Sequence, residues 1–153
     1  NKWFIVRRNS SGGLLVYNDN KTPLDENDDQ FRLLNTNQGT GNLLSNNVLA
    51  AAIDLEGKIW VGTDKGLTII NSPNNVFAGR PYDAAQIIIG TGDNAGYLLG
   101  AEVITSIVID GGNRKWIGTR NGLWLVSADG SKILQYFNTE NSPLISNNIL
   151  ELG

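Results

Sequence analysis

One phrase occurs twice in this chain, and a degraded form of it opens the sequence. It reads Lys58-Ile59-Trp60-Val61-Gly62-Thr63-Asp64-Lys65-Gly66-Leu67, and again Arg114-Lys115-Trp116-Ile117-Gly118-Thr119-Arg120-Asn121-Gly122-Leu123. The early form is Lys2-Trp3-Phe4-Ile5, followed by Gly12-Gly13-Leu14. Trp3, Trp60 and Trp116 therefore mark nearly equal steps along the chain. Self-similarity at a fixed period of this size is the mark of a repeat architecture, and it limits the fold before any single residue is considered.

Each copy reads as a series of short strands separated by turn residues. In the first, residues 2–8 form a strand, 9–13 a turn cluster, 14–17 the returning strand and 30–34 a third. Residues 18–29, rich in Asn and Asp, are a loop, and so are residues 35–42. In the second copy residues 48–54 carry three alanines, for which helix propensity is high. The run is short and lies between turn signals, and its counterpart at 103–110 is β-branched. A strand is therefore expected at both places. Residues 59–63 and 67–70 make a hairpin, 71–83 a loop and 84–89 a fourth strand. The third copy repeats the order at 103–110, 115–119, 123–126 and 133–137. The run Ser146-Asn147-Asn148-Ile149 matches Ser45-Asn46-Asn47-Val48, so residues 148–152 open a further copy.

Four antiparallel strands repeated in series predict a β-propeller. The expectation is an all-β fragment of about three blades, with copies at about 1–42, 43–97 and 98–145. Residues 146–153 carry the first strand of another blade. In this phase the chain starts at a second strand and ends on a first. Three blades do not close a ring, and two copies of the chain exchanging terminal strands would make a six-bladed one. A homodimer through blade completion is thus expected for the isolated fragment. Blades sandwiched between neighbours explain the unbroken apolar runs around Trp60 and Trp116. Gly62 and Gly118 lie on the same strand face as those tryptophans and leave room for a neighbouring ring. Gly66 and Gly122 fall where a tight hairpin wants positive φ. Asp54 and Asp110 are expected to accept turn N–H groups through their carboxylates.

Composition removes several classes of chemistry. The chain has no Cys and no His, so disulfides, thiolate metal sites and a Ser-His-Asp triad are excluded. Its formal net charge is −3 and it has no cluster of Lys and Arg, which argues against nucleic acid and against anionic membranes as partners. No apolar run is long enough for a membrane helix, so no membrane insertion is expected.

The loop at residues 18–29 is the one cluster with metal-ligand character. Asp19, Asp25, Asp28 and Asp29 offer oxygen ligands of the kind Ca²⁺ takes. Their spacing is not that of an EF-hand, and a solvated acidic loop without metal is the reading adopted. Asp54, Asp110 and Asp129 recur in equivalent turns, which marks them as structural rather than as an acid/base pair. Trp3, Trp60 and Trp116 are assigned to the core. Trp124, where the preceding copy has Thr68, is expected to pack. The glycine-containing run at 90–96 lacks the Lys-Ser/Thr ending of a phosphate loop. No catalytic residue, ligand-binding residue or cofactor is assigned. Residues 18–29, 71–83 and 91–99 distinguish this chain from a bare repeat, so binding is looked for there first.

The repeated phrase resembles the two-component-regulator propeller repeat, as does Phe137-Asn138-Thr139-Glu140-Asn141-Ser142-Pro143-Leu144 with the Ser146-Asn147-Asn148 that follows. The insertions carry a narrower resemblance. Residues 15–25 ending in Asp28-Asp29, residues 83–89 and residues 110–119 look like PorZ-like components of the type IX secretion system. That resemblance implies a non-enzymatic cell-surface protein in a complex that attaches secreted cargo to the outer surface of a Gram-negative bacterium. Its partners would be the other proteins of that complex. The broader resemblance implies instead the periplasmic ligand-sensing region of a hybrid histidine kinase. A hydrolase or lyase on a propeller scaffold is a third reading, against which the lack of His and Cys counts.

Overall fold

The structure is a computed structural model and describes residues 1–7 and 11–153. Arg8, Asn9 and Ser10, where the first expected strand ends and the first turn begins, lie outside the described residues. The chain is all-β, with antiparallel pairing throughout. Strands β1 (Lys2–Val6), β2 (Gly13–Asn18) and β3 (Gln30–Leu34) form a first sheet in sequence order. Strands β4 (Val48–Ile53), β5 (Ile59–Thr63) and β6 (Gly66–Ile70) form a second. A two-stranded ribbon of β7 (Ile88–Ile89) and β8 (Gly96–Tyr97) follows. The last sheet has four strands, β9 (Ile104–Ile109), β10 (Lys115–Thr119), β11 (Leu123–Val126) and β12 (Ile133–Phe137), again in sequence order.

The alanine-rich run is the strand β4, in register with β5 from Val48↔Thr63 to Ile53↔Ile59. Pairing on a sheet overrides a helix propensity worth only tenths of a kcal/mol per residue. The second sheet is buried on both sides, and every residue of β5 and β6 is buried. Alternate side chains enter different cores. Ile59, Val61 and Ile70 join Leu14, Val16, Leu34 and Val48 against the first sheet. Trp60, Leu67 and Ile69 join Ile104, Ile107, Ile117 and Val126 against the last sheet. This two-sided burial is the reason the strands read as unbroken apolar runs.

Three expectations are corrected. The fourth strand at residues 84–89 is reduced to one bridge, Ile69↔Ala85, with N–H···O distances of 2.9 Å in both directions. The preceding residues are tied elsewhere. Asp83 accepts from Gly39 N–H at 2.6 Å and Gly41 N–H at 2.9 Å, and Ala84 N–H donates to Gly41 O at 2.8 Å. The segment is thus drawn onto the loop that follows β3. Beyond the bridge, Ile88 and Ile89 pair with Tyr97 and Gly96 of β8 instead of β6.

The second correction concerns residues 148–152, which form no strand. They lie across the surface of β9 and β10. Ile149 N–H donates to Thr119 O at 2.9 Å, Ile149 O accepts from Thr105 Oγ1 at 2.5 Å, and Leu152 N–H donates to Ser106 Oγ at 3.1 Å. A strand requires a ladder, and this segment meets mainly side chains.

The third correction concerns the tryptophans. Trp60 is 1% exposed, while Trp3 and Trp116 are only half-buried. Lys115 and the backbone of Gly130 cover the Trp60 ring. Trp116 stacks on Phe137 with ring centroids 5.9 Å apart, and Trp3 borders an open cleft with Phe4, Ile5 and Ile53.

Candidate functional site

The repeated phrase builds structure, and its threonines and glycines, with the aspartate that precedes it, have the same tasks in both copies. Asp54 Oδ1 accepts from the N–H groups of Glu56 and Lys58, both at 3.0 Å. Asp110 Oδ1 accepts from those of Gly112 and Arg114, both at 2.9 Å. The expected Asx-type turn is present in both places. The second carboxylate oxygen accepts from the indole N–H six residues on, Trp60 at 2.9 Å and Trp116 at 3.3 Å. That bond explains the fixed Asp-to-Trp spacing. Burial pushes the Asp54 carboxyl up, but the Trp60 indole, the Lys58 amide and Lys115 outweigh it and hold it below the usual range.

Thr63 and Thr119 close the hairpins. Each hydroxyl donates to the carbonyl of the glycine three residues on, Gly66 or Gly122, at 3.0 Å, and accepts from the N–H two residues on. Gly66 and Gly122 have φ of 124° and 143°, the region glycine favours. Gly62 and Gly118 make room, but not for a ring. A Cβ on Gly62 would lie 2.4 Å from Ile104 Cγ2, and one on Gly118 would lie 2.7 Å from Ile149 Cγ2. An isoleucine from the following copy fills each notch.

Lys115 was not anticipated as a site residue. It occupies the place of Ile59 and is fully buried. Its ammonium lies 4.7 Å from the Trp60 ring centroid and 3.3 Å from Asp54 Oδ2. It donates to Asn113 O at 2.8 Å and to Ala128 O. A buried cation, a carboxylate and an indole thus join the second sheet to the last. The only signal in the sequence was a lysine inside an apolar strand, which a repeat alignment flags as an exception.

The acidic loop does not gather its carboxylates. Asp19 pairs with Lys2 at 2.8 Å, and Asp25 accepts from Asn27 N–H at 3.0 Å at the start of the 3-10 turn Glu26–Asp28. Asp28 accepts from Thr22 Oγ1 at 2.8 Å and 2.9 Å, and Asp29 accepts from Tyr17 Oη at 2.7 Å. Each is turned to a different donor. Among the described residues no group of three or more His, Cys, Asp or Glu side chains is placed to hold a metal. Asp129, bonded by the hydroxyls of Ser127 and Ser131 and by the Ser131 amide, shapes its own turn. Trp124 packs on Tyr136 with ring centroids 4.1 Å apart, and its indole N–H has no partner among the described residues. The run at 90–96 forms the turn of the β7–β8 ribbon, around a 3-10 turn at Gly92–Asn94.

A polar concavity lies where the loop at 71–83 meets the loop after β3. This cleft, of about 490 Å³, is lined by Arg32, Gln38, Gly39, Arg80, Tyr82 and Asp83 among others. Arg32 Nη1 donates to Tyr82 Oη at 2.9 Å, and Tyr82 Oη donates to Gly39 O at 2.9 Å. The Arg32 guanidinium also lies 5.3 Å from the Tyr82 ring centroid and 5.9 Å from that of Phe77. Residues 71–83 are one of the three segments that set this chain apart from a bare repeat. The contribution of Arg32 and of the loop after β3 depends on tertiary contact.

No protein-family model and no curated protein sequence matches the chain. Among solved structures it is similar to PorZ of Porphyromonas gingivalis, an essential bacterial surface component of the type-IX secretion system. The two share 33% identity over 99% of this chain, with a TM-score of 0.83. The chain spans 22% of that protein's length. It is also similar in fold to the extracellular domain of a hybrid two-component system of B. thetaiotaomicron, at 24% identity and a TM-score of 0.54, over 80% of this chain and 16% of that one. Among the described residues no helix is long and apolar enough to cross a membrane.

Proposed function

We propose that the chain is a section of a β-propeller, about three blades long, serving as a non-enzymatic binding and scaffolding module of a cell-surface protein that attaches secreted cargo. The observation that carries this reading is the likeness to PorZ over nearly the whole chain, insertions included. The packing agrees with it. Each recurring sheet lies face to face with the next, and an isoleucine of one copy enters a glycine notch of the one before. The recurring threonines of the phrase and the aspartates that precede it are occupied in turns, which suits a scaffold better than a catalyst. Deleting residues 1–153 from the parent gene tests the reading. Loss of surface-attached cargo with the parent protein still exported is the expected result. A sensor-kinase parent gives the opposite pattern, with cargo in place and a transcriptional response altered.

Strand β1 is the edge of its sheet among the described residues, and Phe4, Ile5 and Ile53 are exposed beside it. An open edge with apolar neighbours is a template for a further strand. Residues 148–152 of a second copy are proposed to fill it, each chain completing the other. Light scattering is expected to give twice the chain mass, and a monomer mass over a wide concentration range rejects the pairing.

A further inference from the structure

We infer that the cleft between the loop after β3 and the loop at 71–83 binds a small oxyanion, a carboxylate or a phosphate. The inference rests on the chain being a binding module and does not depend on the secretion role. Two guanidinium groups line the cleft, Arg32 and Arg80, and neither forms an ion pair among the described residues. Arg32 is held by neutral groups only. Tyr82 takes one of its N–H bonds and, with Phe77, flanks its charge. Tyr82 is itself fixed, being 7% exposed and bonded to Gly39 O. The guanidinium is thus positioned without being neutralised, and its remaining N–H donors keep the fork geometry that suits two oxygens of one anion.

Asp83 is the one carboxylate of the lining, and its charge faces the same loops. Both its oxygens are engaged, one by Gly39 N–H and the other by Gly41 N–H. Its role is to fasten the two walls of the cleft together. The lining keeps two cations against this one anion. Such an excess is local, since the whole chain carries a formal charge of −3. A cationic concavity on an acidic protein concentrates anions there and not over the surface at large. The second cation of the lining, Arg80, is exposed and follows Gly79 at φ 67°. Carboxylate and phosphate present the same paired oxygens to an arginine fork, so the chemistry is common to both.

Amide NMR of the whole chain at constant ionic strength and neutral pH tests the site. Inorganic phosphate and acetate are titrated separately, with chloride as the control. Saturable shifts confined to the amides around Gly39, Gly41 and Gly79 are expected. Arg80→Gln, a change at an exposed side chain, is expected to weaken the saturable effect about tenfold. Arg32→Lys keeps the charge but loses the fork, and is expected to weaken it to a similar degree. Saturation by acetate alone assigns a carboxylate ligand, by phosphate alone a phosphorylated one, and by both the shared chemistry. Shifts absent, unsaturable, equal to those of chloride, or unchanged in Arg80→Gln overturn the proposal. That result would leave the scaffold reading standing, since the deletion experiment judges it separately.

Discussion

Lys115 stands where the preceding copy has Ile59, and it is buried beside Asp54 and Trp60. Removing one partner of a buried pair leaves the other charge uncompensated, which costs roughly 3–5 kcal/mol. Lys115→Ala is expected to lower stability by about 3 kcal/mol in urea unfolding. In an Asp54→Asn background the same change should cost about 1–2 kcal/mol less, because no charge is stranded. Tyr17 offers a second test at this scale. Its bond to Asp29, with burial and nearby carboxylates, pushes the phenol up to about 12. The raised value means the protonated phenol is favoured by the fold. That contribution is complete below the unfolded pKa near ~10 and is lost as pH rises through about 12. Phenolate absorbance is expected to show one tyrosine ionising late, and Asp29→Asn should return it toward its ordinary range.

At the scale of the element, one strand phrase serves as a connector between copies. Gly62 is a notch, and Ile104 from the next copy fills it with a separation a Cβ would reduce to 2.4 Å. Gly62→Ala is therefore expected to destabilise by about 1–3 kcal/mol, the range for overpacking. Ile104→Ala alone opens a cavity and destabilises too, at about 2–5 kcal/mol. The double variant should cost less than the sum of the two, since the new methyl occupies space that the isoleucine left. Additive costs in urea unfolding would mean the notch does not couple the copies. The loops repeat as closely as the strands. Ser45 and Ser146 accept from Asn47 and Asn148 N–H, while Asn46 and Asn147 accept from Thr36 and Thr139 N–H. Much of this was legible, because a hairpin that needs Gly66 or Gly122 announces itself in the sequence. The lost fourth strand at 84–89 was not, because the tie from Asp83 to Gly39 and Gly41 spans distant parts of the chain.

For the molecule as a whole, acid is the condition that reads its wiring. Asp19, Asp25, Asp54, Asp64, Asp110 and Asp129 are all held below the usual carboxylate range. For Asp110, burial pushes upward but the Arg114 amide and guanidinium outweigh it, while hydroxyls of Ser127 and Ser131 with the Ser131 amide hold Asp129 down. Depressed values mean that the ionised forms belong to the folded state. Their stabilisation is present above the unfolded carboxylate pKa of about 4 and is lost as pH falls below it. The urea midpoint is accordingly expected to change little between roughly pH 7 and 5 and to drop steeply below about pH 4. A midpoint insensitive to acid would show that these turn carboxylates do not contribute to stability.

The sequence alone determined the repeat and the hairpins β5–β6 and β10–β11 with their turns, since these follow from side-chain alternation and from local needs for glycine, aspartate and threonine. It also excluded whole classes of chemistry, because a chain without His or Cys lacks the groups they require. Tertiary structure decided how the copies meet. It placed Lys115 in a buried site, put isoleucines rather than rings into the glycine notches, spread the carboxylates of the 18–29 loop over separate donors and brought Arg32 to the wall of a cleft with Arg80. Those outcomes depend on which distant backbone supplies a partner. A local pattern reports what a residue needs, whereas only the packed chain settles which neighbour meets the need.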